Sequence, residues 1–352
     1  MKSTKKRYDF IDVAKFIAVF FVMIDHVQYY NVPFDDRCKI LRVIWIAFFL
    51  PVFFISAGMF FEEKENFKSF ILEKIKTLLV PYFLWCFALN FVDNRNIDFF
   101  KGILIGTVDS LDASGTNSVL WFLPCFFVSY IILYGVEKIN SHFTSIYKMH
   151  GVYVLEIFGL LFIDRFLNFI AGKWLFFGLK SAFCGAALMI VGKLLKPILC
   201  SLDNERDCVK IATLLFSLII GTVVAFLNMP VIKNENGIGY KYAIWMANGQ
   251  EGKNPFLYIL ATSLLSISIF VLSMFLKRIN ILAYCGQHTL LFMTFHVYTH
   301  NILSLCISSY LIKYFSTDIA VFVFALLSAL IILIFLPIID IFCPFIYRGS
   351  KY

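Results

Sequence analysis

Charged side chains are scarce in this chain. Asp, Glu, Lys and Arg together make up 15% of its 352 residues, where soluble domains carry about a quarter. So thin a polar coat excludes a water-soluble globular fold. Cysteine offers no staples: nine residues are scattered, mostly inside apolar runs, and no CxxC pair occurs. A disulfide framework and a zinc ribbon are thereby excluded, and small buried hydrophobes remain. There is no GxGxxG, P-loop, GxSxG or zinc signature, which removes dinucleotide, P-loop and serine-hydrolase readings. Neither an internal repeat nor a low-complexity linker divides the sequence, so residues 1–352 read as one domain. The first apolar run is too long for a signal-peptide core and no small-residue cleavage site follows it, so it reads as a retained helix.

What the chain has instead is apolar bulk: 60% hydrophobic residues, 42 of them Phe, and a mean hydropathy of +0.81. Its runs approach the roughly 20 residues that carry a helix across about 30 Å of hydrocarbon. Barrel strands would be shorter and would alternate. The expected class is an all-α polytopic membrane protein with about ten transmembrane helices in one bundle. Candidate spans fall near 10–30, 40–61, 71–92, 119–136, 152–170, 174–195, 210–228, 256–276, 285–312 and 318–342. The net charge is +8, but the cations sit beside apolar runs. They suit anionic lipid headgroups and topology signalling, not nucleic acid.

With a cytoplasmic N-terminus, the segments between alternate spans that fall inside hold most of the Lys and Arg, among them Lys5, Arg7, Lys74, Lys193, Lys277 and Arg348. That bias predicts both termini inside, as in a multi-pass protein of a bacterial plasma membrane. Two outer connections are long. Residues 93–118 carry four aspartates, a solvated face, and residues 229–255 mix Gly, Asn and Lys with Tyr240, Tyr242 and Trp245. Those aromatics anchor the loop at the interface or cover an acceptor. The segment 67–85 reads as a basic amphipathic stretch that enters a span through Pro81.

The opening span carries ionisable groups: residues 12–26 read "DVAKFIAVFFVMIDH". At about 100° and 1.5 Å per residue, the eleven steps from Lys15 to His26 leave a rotation of roughly 20° and a rise of about 16 Å. The two side chains share one face, about half a membrane apart. Asp12, three residues before Lys15, can pair with it, while Asp25 points about 100° away from His26. Charges at such depth usually face a bundle interior or a wet cavity. A neutral imidazole there can take a proton from an alcohol, and the cation below it can hold a phosphate-bearing donor. The alternative is a snorkelling lysine and a histidine hydrogen-bonded between helices.

Several segments in order resemble one family. They are "IDVAKFIAVFFVMIDH" (11–26), "PVFFISAGMFF" (51–61), "IKTLLVPYFLW" (75–85), "SVLWFLPCFFVSYII" (118–132) and "LAYCGQHTLLFMTFHVYTHNIL" (282–303). They are similar to the acyltransferase-3 group of integral membrane O-acyltransferases, in particular its branch related to sugar (fucose 4-O-) acetylases. The chain departs from that pattern in two places. Ala57 is inserted between Ser56 and Gly58, and Lys15 stands where many members carry Arg. A lysine is a point charge without the guanidinium fork.

The resemblance implies transfer of an acyl group, commonly acetyl from acetyl-CoA, to a hydroxyl of a cell-envelope or lipid-linked sugar. It implies His26 as general base and His296 as a second active-site residue. Lys15 with Asp12 would hold the donor, and Arg165 would hold the donor phosphate or meet the acceptor sugar, or else pair locally with Asp164. Trp121 and Ser56 would meet the substrate, with Asn90 a further oxyanion donor. Transfer can be direct or can pass through an acyl-histidine. His296 and His300 share a helix face, but no HExxH or intervening carboxylate accompanies them, so no metal is expected. A function of another class, a secondary transporter or flippase for an envelope glycan, also suits intramembrane charges, although its usual repeated halves are missing.

Overall fold

The computed structural model describes residues 7–62, 66–89, 97–113, 118–141, 146–170, 175–229, 231–234, 237–240, 246 and 251–342. Its helices in chain order are α1 (Asp9–His26), α2 (Asp36–Ile46), α3 (Pro51–Met59), α4 (Phe67–Lys74), α5 (Val80–Leu89), α6 (Ile97–Ile105), α7 (Val108–Ala113), α8 (Phe122–Asn140), α9 (Ile146–Ile170), α10 (Leu179–Leu202), α11 (Asp207–Leu227), α12 (Pro255–Leu276), α13 (Asn280–Gln287), α14 (Thr289–Cys306), α15 (Ser308–Tyr314) and α16 (Thr317–Phe342). Among the described residues the only strands are β1 (Val231–Asn234) and β2 (Gly237–Tyr240), an antiparallel hairpin. The fold is all-α, as expected.

Among the described residues six helices are long and apolar enough to cross a bilayer: Asp36–Met59, Ser118–Asn140, Phe176–Leu202, Asp207–Leu227, Pro255–Leu276 and Thr317–Ile338. A seventh span arises if α14 and α15, bent by 67°, count together. The hydropathy count of about ten is approximate because hydropathy does not see helix breaks. The 71–92 run is divided by a π turn, Ile75–Leu79, just before Pro81. Proline donates no N–H to the ladder, and a widened turn absorbs the defect. α1 holds Asp9, Asp12, Lys15 and Asp25 within its 18 residues.

The chain forms two compact units. One comprises Met1–Phe53, Pro197–Val223 and Ala261–Ile338; the other comprises Phe54–Lys196, Val224–Leu260 and Ile339–Tyr352. In lipid, apolar surface alone does not drive helices together, so packing relies on small residues, interdigitated rings and polar contacts. In the first unit α1 is wrapped on several sides. Phe16 meets Phe292 of α14 with centroids 5.3 Å apart, Phe20 meets Phe322 of α16 at 5.7 Å, and Phe21 meets Phe48 at 5.1 Å. At Gly286 of α13 the backbones touch: a Cβ there would lie 1.8 Å from the carbonyl oxygen of Asp12. Only glycine permits that approach.

In the second unit α3 and α10 meet in the same way. A Cβ on Gly58 would strike the Met189 carbonyl at 1.8 Å, and one on Gly192 the Ile55 carbonyl at 2.0 Å. Ser129 Oγ donates to the Ala182 carbonyl at 2.9 Å, and Tyr82 to the Ile103 carbonyl at 2.7 Å. Glu137 of α8 is buried and pairs with Lys193 and with the Tyr153 hydroxyl. The loop before α12 is closed by Asn228, whose Nδ2 donates to the Glu251 carbonyl at 2.7 Å and whose Oδ1 accepts from Asn254 N–H at 2.8 Å.

Candidate active site

The candidate site lies in the first unit, where α1 and α13–α14 run parallel. Successive contacts join Asp12 to Gly286, Phe16 to Phe292, His26 to His296 and Asn31 to Ser304. Towards the end of this run His26 Nδ1 lies 2.9 Å from His296 Nε2. His296 Nδ1 lies 3.0 Å from the carbonyl of Phe292, one turn back on α14. A carbonyl only accepts, so His296 carries its proton on Nδ1 and its lone pair on Nε2. With both rings neutral, His26 then donates from Nδ1 and its own lone pair sits on Nε2. His296 is fully buried and His26 half-buried. With its tautomers set in this way, the pair has the geometry of an oriented base.

His300 follows one turn along α14, also fully buried, its ring 5.4 Å from that of His296 and 5.2 Å from that of Tyr30. Asp25 does not reach towards His26. Arg42 of α2 grips its carboxylate with Nε at 2.6 Å and Nη2 at 2.8 Å, and Trp45 Nε1 donates to the same carboxylate at 3.0 Å. Gln28 caps the Asp25 carbonyl at 2.9 Å. The last turn of α1 is thus held by side chains from its own end and from α2.

At the start of α1, Asp12 is buried and is shared by two cations. Lys15 Nζ lies 2.8 Å from one carboxylate oxygen and Arg7 Nε 2.7 Å from the other. Arg7 is about half exposed. The trio carries one net positive charge and keeps Arg7 half exposed, a donor set suited to phosphate. In the sequence Arg7 stands out only among the cations that signal topology; its spacing of five residues before Asp12 is the clue to the pair. Arg42 and Trp45 carried no local signal, since they meet Asp25 only through the tertiary fold.

The other expected residues lie in the second unit and are not brought together there by any described contact. Ser56 is buried on α3, and its Oγ finds no hydrogen-bond partner among the described residues. Trp121 closes the 3-10 turn before α8, is buried, and stacks edge-on against Phe122. Arg165 is exposed on α9, while neighbouring Asp164 turns inward to accept from Cys184 N–H at 3.1 Å and Asn168 at 3.0 Å. Asn90, Tyr242 and Trp245 lie outside the described residues.

A family model described as an acyltransferase domain matches residues 8–341. No curated protein and no solved structure matches the chain. The match takes in the whole of α1 and both histidines of the pair, and the fold around them is a bundle of membrane-crossing helices. The chain belongs to the acyltransferase-3 family and is a multi-pass membrane acyltransferase.

Proposed function

We propose that this protein moves an acetyl group from acetyl-CoA to a hydroxyl of a cell-envelope or lipid-linked sugar, as a sugar O-acetylase-like member of its family. The observation that carries the reading is the His26–His296 hydrogen bond at 2.9 Å, at one end of a helix whose other end gathers Arg7, Lys15 and Asp12. Arg7 and Lys15 hold the donor phosphates. The rise of about 16 Å along α1 from Lys15 to His26 matches the reach of an extended pantetheine arm. His26 Nε2 takes the proton of the acceptor hydroxyl as its oxygen attacks the thioester carbonyl. The new C–O bond forms, the C–S bond breaks, and His26 returns the proton to the departing thiolate. His296 accepts from Nδ1 of His26 throughout and stabilises the imidazolium formed in between.

Both termini then face the cytoplasm of a bacterial inner membrane, which places the cation end of α1 on the side where the donor is made. The modest excess of Lys and Arg in those segments supports this orientation. The test uses purified protein in lipid nanodiscs with labelled acetyl-CoA and sugar acceptors. Release of CoA that requires an acceptor and disappears in His26→Ala is the expected result. Acceptor-dependent release that survives His26→Ala overturns the assignment of the base.

A further inference from the structure

A buried ion pair is a poor source of stability, because stripping two charges of water costs about what their attraction returns. The first unit nevertheless keeps one beside its functional histidine. Both oxygens of Asp25 are held by three N–H groups from Arg42 and Trp45, with Asp25 and Arg42 each less than a tenth exposed. Asp25 adjoins His26 in the chain, and the Tyr29 ring packs edge-on to the His26 ring at 6.0 Å. The Tyr29 hydroxyl also lies in range of Arg42. Arg42 therefore touches both Asp25 and Tyr29, the neighbours of the imidazole.

We propose that Arg42 is a positioning residue for the His26 base: its grip on Asp25 fixes the last turn of α1 and cancels a carboxylate that would otherwise act on the imidazole unopposed. This rests on the proposed role of His26. The rings against that imidazole are Tyr29 from its own segment and His296, backed by His300, from α14; Asp25 adjoins it along the chain, and Arg42 of α2 reaches it through Asp25 and Tyr29. His296 and His300 make up the histidine side and stay constant in the comparison. A bare negative charge within about 4–6 Å favours imidazolium and a bare positive charge disfavours it, each by about one pH unit or more. Removing one partner of the pair therefore moves the titration of His26 in a direction set by which partner remains.

The experiment follows carbethoxylation of His26 against pH by peptide mass spectrometry, a reaction of the neutral ring that needs no turnover. Arg42→Met is expected to raise the pH midpoint of reactivity by about one unit and Asp25→Asn to lower it by a similar amount. The double variant Asp25→Asn/Arg42→Met returns it to the wild-type value, and Arg42→Lys holds it there. If Arg42→Met does not fold, the downward shift in Asp25→Asn and its reversal in the double variant carry the test. Midpoints unchanged in the single variants, or a double variant that stays shifted, overturn the proposal. Acetyl transfer is measured in parallel: Arg42→Met lowers kcat about tenfold or more with the KM for donor unchanged. If the variants show the titration shifts but wild-type protein shows no His26-dependent transfer, the acetylation reading fails and the positioning role stands.

Discussion

Replacing Gly286 by alanine tests whether the packing of α13 on α1 sets the geometry of the distant histidine pair. A Cβ at this position would lie 1.8 Å from the Asp12 carbonyl oxygen, 2.4 Å from its carbon and 3.0 Å from its Cα. Ordinary contact begins at 3.4 Å, so relief of the first clash alone requires a retreat of 1.6 Å. The obstacle is backbone on both sides, and no side chain can rotate away. α14 follows α13 directly through His288, so it moves with it. If half of the retreat reaches His296, the 2.9 Å bond to His26 becomes about 3.7 Å, beyond hydrogen-bonding reach. Misplacing a catalytic group by about 1 Å costs about 100-fold in rate. Acceptor-dependent CoA release should therefore fall by about that factor in Gly286→Ala. A melting curve in the same nanodiscs separates displacement from unfolding, and Gly135→Ala on α8, whose Cβ position is open, serves as the benign control. Wild-type turnover by a folded Gly286→Ala protein would refute the argument.

Two further outcomes follow from the electrostatics. Asp12→Asn releases both Lys15 and Arg7 from their shared carboxylate and raises the local charge from one to two; the KM for acetyl-CoA should fall severalfold at low salt and recover in 0.5 M salt, about where screening shortens to a few ångströms, and steady-state kinetics across salt checks it. Glu251 is fully buried in the loop before α12, and burial pushes its carboxyl above the ordinary 4.5, partly offset by Asp164 and Arg165. A raised folded-state value means that the folded loop holds the proton more tightly than the released loop, so its stability is fullest below 4.5 and is lost as pH rises from there through the raised value. Glu251→Gln should remove that slope, flattening the pH dependence of proteolytic nicking in residues 229–255; an unchanged slope counts against it.

The membrane class was legible because scarce charge and long apolar runs leave a chain few other solutions. The shared face of Lys15 and His26 was legible too, since it needs only the helical period. Partnerships that close in three dimensions were not. Asp25 lies 17 residues from Arg42, and the turn between them cannot be oriented from sequence. His26 and His296 lie 270 residues apart, and their pairing was approachable only through resemblance to a family. Gly286 gave no sign of touching Asp12, because one glycine ahead of an apolar run looks alike in tight and open settings. The breaks at residues 75–79 and between α14 and α15 were hidden for another reason. Hydropathy averages over a window, whereas a π turn or a 67° bend depends on individual hydrogen bonds.

On the proposed reading, the eleven steps from Lys15 to His26 make α1 a gauge of set length, and a helix can be lengthened only in coarse increments. One inserted residue adds about 1.5 Å but swings the imidazole by about 100°, off His296. Insertion of a whole turn restores the facing but pushes the base more than 5 Å past its partner. A lineage under selection for a longer or shorter thioester would therefore leave this interval untouched. It would relocate the cation instead, sliding it along the exposed approach where Arg7 already stands.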